Sequence, residues 1–190
     1  MIVTVKNTYY MMAVNLLYTI SVISSIALRF NDIPVGKLHL VSNEIVYIIP
    51  LIYLVLVLKY LKEDTSIITT CKIFIGVDVF ISLYFVVVKV TAKNISLYYL
   101  LFLLSIIVVI IFIIQSARIQ NKWLAYPMFT YGLAFLFITL LQLVASIIYS
   151  SMMFKYVSLT KVFIPGITFY ILFKVVKYLA MDKGVNERVI

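Results

Sequence analysis

The sequence is poor in almost everything from which catalytic and metal sites are made. It has one cysteine, Cys71, and one histidine, His39. A single cysteine excludes an intrachain disulfide and a CxxC redox pair. A single histidine excludes bis-histidine haem ligation and multi-histidine metal sites within one chain. No cofactor is implied. Charge is scarce as well. Only 12% of residues are charged, and 7 Asp+Glu stand against 16 Lys+Arg. An ordinary soluble domain carries about 25% charged residues.

Apolar residues fill the space left by these absences. The chain is 65% hydrophobic, with a mean hydropathy of +1.15. No soluble fold could cover that much apolar surface. Leu97 to Ile114 reads LYYLLFLLSIIVVIIFII, with no charge and with Ser105 as its strongly polar side chain. At about 1.5 Å per residue it spans most of a hydrocarbon core roughly 30 Å thick. Similar segments run over Tyr9–Leu28, Ile45–Leu61, Ile67–Val88, Leu124–Tyr149 and Tyr156–Ala180. The fold class expected is all-α: a polytopic transmembrane helical bundle of about six segments in one membrane domain, 1–190. Residues 181–190 form a short mixed-charge tail. If the third or the sixth segment lies along the membrane, fewer than six cross it.

Polar connections separate the segments. Arg29 to Asn43 reads as the longest, with Pro34 and Gly36 suited to a turn and His39 inside the loop. Lys59, Lys62, Glu63 and Asp64 form a compact charged turn, and Lys89 and Lys93 flank another. Arg118 to Trp123 is a tight connection with an interfacial tryptophan. Lys155 and Lys161 bracket the last turn. With six spans and the N-terminus inside, ten Lys and Arg fall on the inner side and six on the outer, namely Arg29, Lys37, Lys89, Lys93, Lys155 and Lys161. That bias favours N-in, C-in. The net charge of +9 lies near segment ends rather than on one face, so it points to lipid headgroups and not to direct nucleic-acid binding.

Asp78, in IGVDVFIS, is the carboxylate placed at membrane depth. A charge there costs roughly 2.5–3.5 kcal/mol, so such residues pair, titrate or line a wet cavity. Lys72 is on a different helix face, so a partner must come from another helix, with Asn15 and Gln142 as candidates. A proton or cation site in a small transporter or channel is one reading; a hydrogen-bonded carboxyl that locks helices is the other. Intramembrane proteases do not fit. There is no Gly-x-Ser-x turn, no second deep aspartate for a dyad, and no histidine or arginine company for Glu44 and Glu63. Gly76-Val77-Asp78 only loosely echoes the Gly-Asp pair of the lysoplasmalogenase family, whose second acidic motif is missing. The chain is therefore not expected to be an enzyme. Pro50 and Pro127 stand near the starts of the second and fifth segments, as a three-plus-three repeat would have them. Pro165-Gly166 would break the sixth segment roughly where Gly76 and Asp78 sit in the third, and Gly132, Pro165 and Gly166 are hinge candidates.

Residue usage leans on Ile, Lys, Asn, Tyr and Phe, the amino acids of AT-rich genes common in mobile bacterial islands. In size, segment number and lack of a catalytic motif, the chain resembles the membrane subunit of the two-gene Kiwa anti-phage defence system. The resemblance covers the whole chain and rests on architecture, not on diagnostic residues. It implies a homo-oligomeric sensor or scaffold in the bacterial inner membrane that recruits a cytoplasmic effector. The docking surface would then be Lys59, Lys62, Glu63, Asp64, Arg118 and Lys122, with the tail Lys183–Ile190.

Overall fold

A computed structural model describes residues 2–88, 95–148 and 151–186. The Lys89 and Lys93 turn, Tyr149 and the end of the tail from 187 onward lie outside the described residues. The chain forms α1 (Val5–Phe30), α2 (Lys37–Tyr60), α3 (Thr65–Val87), α4 (Ile95–Ser116), α5 (Lys122–Ile148), α6 (Ser151–Thr160) and α7 (Phe163–Asn186). There is no strand among the described residues. Six helical stretches are long and apolar enough to cross a membrane, α6 and α7 together making the last of them. The protein is thus an all-helical membrane protein, as its hydropathy requires.

The helices pack in chain order as a ring. Each neighbours the next from α1 to α5, α5 contacts both α6 and α7, and α7 closes against α1. Large side chains from α2, α4, α5 and α7 fill the middle, with Tyr53, Leu58, Phe112, Tyr131, Ile171 and Leu172 each at most 2% exposed. On the outer faces Leu17, Ile20, Phe80, Leu100, Phe137 and Ile147 stand exposed, as lipid-facing side chains must.

Local signals explain the turns. Thr4 caps α1 by accepting from Asn7 N at 3.1 Å. At the other end of α1 the chain turns through Asp32, whose φ is 57°. α2 ends through Lys62 at φ 55°, and Glu63 N reaches back to Leu58 O at 3.1 Å. That left-handed exit is a common helix C-terminus. Asp64 then caps α3, accepting from Ser66 N at 3.0 Å.

Several expectations from the sequence need correction. The connection after α1 is short, because α2 starts at Lys37; His39 and Asn43 are helical residues, not loop residues. Pro50 therefore lies in the middle of α2, whereas Pro127 is in the second turn of α5, so the two do not occupy matching positions. The last span is interrupted at Lys161-Val162, between α6 and α7. Pro165 and Gly166 follow in the first turn of α7, where proline removes no intrahelical bond. α3 runs unbroken through Gly76 and Asp78, so the interruption has no counterpart there. α7 continues to Asn186, making much of the expected tail helical.

Candidate functional site

The ring is open at one end, the end away from residue 2 and residue 186. There α1, α3 and α5 finish and α2 and α4 begin. Asp78 lies about 13 Å inward from the end of α3, Glu44 about 10 Å from the start of α2, and Gln142 about 9 Å from the end of α5. The α6–α7 interruption delivers Lys161 to the same region. A cavity joins these groups. Its inner lobe has a volume of about 110 Å³ and its outer lobe about 230 Å³. Glu44, Asp78, Ser82, Thr139, Gln142 and Lys161 line both lobes. The inner lobe adds Tyr18 and Tyr47, and the outer adds Arg29 at the mouth. Tyr47 stands beside Asp78, and Ser82 beside Glu44. Both lobes are polar and roomy enough for several waters.

Two features give the cavity its shape. The first is its floor. The hydroxyls of Tyr47 and Tyr131 share a hydrogen bond of 2.7 Å, and Tyr18 packs on Tyr47 with ring centroids 5.2 Å apart. Below them Phe74 stacks on Phe112 at 4.8 Å, around an apolar void of only about 20 Å³. The cavity is therefore a blind vestibule closed near mid-bundle by aromatic packing. The second is its charge. Among the described residues the ion pair is Lys155–Asp32, 2.7 Å apart and outside the cavity. Glu44, Asp78, Arg29 and Lys161 are not in direct ion-pair contact with one another, though all four line the outer lobe.

Beside the vestibule, α1 and α2 are stitched by a polar seam. Ser25 Oγ lies 2.9 Å from His39 Nε2 and accepts from Asn43 Nδ2 at 3.2 Å, while Ser21 donates to Asn43. No three His, Cys, Asp or Glu residues gather as metal ligands among the described residues.

The structure brings together some of the residues marked in the sequence and separates others. Asp78 and Gln142 share the cavity. Asn15 does not reach it; buried, it donates to Pro165 O at 2.8 Å and ties α1 to the first turn of α7. Gly132 is a point of close approach, since a Cβ there would lie 2.6 Å from Ile113 Cγ1 and 3.0 Å from Phe112 Cδ1. At the opposite end of the bundle Lys59, Lys62, Asp64, Arg118 and Lys122 are exposed. Glu63 is not a surface docking residue. It is 5% exposed and accepts from Gln120 N at 2.9 Å and Asn121 N at 3.0 Å, clamping the α2–α3 turn to the α4–α5 turn.

Sequence reasoning missed Glu44, Arg29 and Lys161 as cavity residues, because each lies near the end of an apolar segment and reads as interfacial. A helical signal for the cavity was present. Ser82 follows Asp78 by one turn, Tyr47 follows Glu44, and Thr139 precedes Gln142, so each helix presents a short polar stripe. Comparison with known protein families, curated proteins and solved structures finds no match.

Proposed function

We propose that the protein is a small membrane carrier in which Asp78 couples the movement of a proton or small cation. The observation that carries this reading is the blind polar vestibule, where charged residues from four parts of the ring line one space that reaches inward to Asp78. Each intramembrane charge costs folding free energy, and packing alone would be served better by leucine. The interrupted last span runs beside the cavity, as broken helices do at the central sites of carriers. The aromatic floor acts as the inner gate. In proteoliposomes with an imposed membrane potential, wild type is expected to pass protons, read by an entrapped pH dye, and Asp78→Asn to lose that flux while keeping its elution profile and unfolding midpoint. Normal flux through Asp78→Asn removes Asp78 from the mechanism.

A second reading follows from the opposite end. Lys59, Lys62, Arg118 and Lys122 are exposed on two adjacent turns held together by Glu63. An oligomeric inner-membrane sensor that recruits a soluble effector would dock it there. Charge reversal at all four positions should then abolish co-purification of that effector. Undiminished recovery sinks the sensor reading.

A further inference from the structure

The cavity's charges are sorted by wall. α2 and α3, which pack together, supply Glu44 and Asp78. α1 and the α6–α7 junction supply Arg29 and Lys161, and α1 packs against α6 and α7. The acid wall thus adjoins the base wall around one cavity, without ion-pair contact between the two. The α1–α2 seam, where the walls meet, is occupied by the Ser21, Ser25, His39 and Asn43 network.

A cavity organised this way discriminates by charge pattern. A simple cation is attracted to the Glu44–Asp78 wall and repelled by the bases beside it, and a simple anion meets the reverse. A solute carrying both charges satisfies both walls at once. Lobes of about 110 and 230 Å³ admit a molecule of a few heavy atoms and exclude a peptide or nucleotide. Phe135, Ile138 and Ile164 give the inner lobe apolar surface for a short side chain or methylene run. Gln142, Thr139 and Ser82 supply neutral hydrogen-bonding groups between the charges.

We propose that the vestibule binds a small zwitterion of the amino-acid class, its ammonium group on Glu44 and Asp78 and its carboxylate on Lys161 and Arg29. This rests on the carrier reading for its site and goes beyond it in naming the solute. The geometry that carries it is the placement of two acids and two bases on adjoining walls of one small cavity, with no ion pair joining them.

The test is equilibrium titration calorimetry on the full-length protein in mild detergent, with glycine, β-alanine, 4-aminobutyrate, methylammonium and acetate as probes. One of the three amino acids is expected to bind at least about tenfold more tightly than methylammonium or acetate, because each single-charge probe leaves one wall unanswered. Lys161→Gln and Glu44→Gln should each weaken the amino acid by about tenfold or more. Lys161→Gln should leave methylammonium unaffected or improved, and Glu44→Gln should do the same for acetate. Lys161→Arg and Glu44→Asp, which keep the charges, control for folding and should retain most of the affinity. Methylammonium binding as tightly as every amino acid makes this a cation site and overturns the proposal. Acetate doing so makes it an anion site, and heat from none of the probes overturns it outright. The two readings fail separately. Asp78-dependent proton flux without amino-acid binding removes the solute class only. Amino-acid binding without flux removes the carrier and leaves the site.

Discussion

Gly132 shows how a single residue without a side chain sets the distance between two spans. Its missing Cβ lets α5 approach α4 until Ile113 and Phe112 touch its backbone. Phe112 has no room to retreat, being 2% exposed and stacked on Phe74. Small residues at such crossings are the usual means by which membrane helices gain van der Waals contact. Gly132→Ala is therefore expected to overpack the crossing and cost about 1–3 kcal/mol, read as a lowered unfolding midpoint in detergent. Gly166 makes the useful contrast. A Cβ there meets nothing within 4 Å, so Gly166→Ala should keep stability within about 0.5 kcal/mol. If the two substitutions cost the same, close approach is not what Gly132 provides. Gly166 stays the better position for testing motion, because any loss of flux in a fully stable Gly166→Ala variant would come from conformational freedom and not from packing.

α6 is the element that the sequence conceals. Hydropathy merges it with α7 into one apolar segment, and the prolyl-glycyl pair at Pro165-Gly166 draws attention to the wrong break. Neither residue interrupts anything, since both belong to the first turn of a new helix. The interruption at Lys161-Val162 carries no proline or glycine of its own, and α6 is held by tertiary contacts that no window of local sequence displays. α6 packs on α5 and α1. It is tied to the end of α1 by the Lys155–Asp32 ion pair at 2.7 Å and by Phe30 meeting Tyr156 edge-on at 6.1 Å. Asp32 can serve because its positive φ turns it outward at the helix exit. The tether is weak by nature, since exposed ion pairs contribute about 0–1 kcal/mol. That suits a half-helix which carries Lys161 to the cavity and whose displacement would widen it. Lys155→Ala is expected to raise the labelling rate of Ser82→Cys by a water-soluble maleimide, up to about fivefold if the pair contributes about 1 kcal/mol. Native Cys71, 4% exposed, gives little background. Unchanged labelling would mean that the ion pair does not restrain α6.

For the whole molecule, the six spans were legible because hydropathy is a long-window property, and even a misplaced boundary leaves enough apolar residues to be counted. The cavity was half legible. Asp78 stands out in a run of apolar neighbours, while Glu44, Arg29 and Lys161 sit where a segment end, a snorkelling base or a loop charge looks the same in one dimension. Their true position changes the topology argument as well. The bare sequence places Arg29 and Lys161 among the outer loop charges, yet both line the cavity. Among the described residues that leaves Lys37 and Lys155 at the cavity end. Lys59, Lys62, Arg118 and Lys122 are exposed at the other end, where Lys6 also lies. The positive-inside rule counts bases in short loops, so the structure sharpens the asymmetry that the bare sequence shows. An even number of spans also puts both termini on one side. A fluorescent protein fused after Ile190 is therefore expected to mature in the cytoplasm, and alkaline phosphatase at the same position to be inactive. The reverse pattern would turn the vestibule toward the cytoplasm. It would also remove Lys59, Lys62, Arg118 and Lys122 from the reach of any cytoplasmic partner, leaving the carrier as the reading compatible with both orientations.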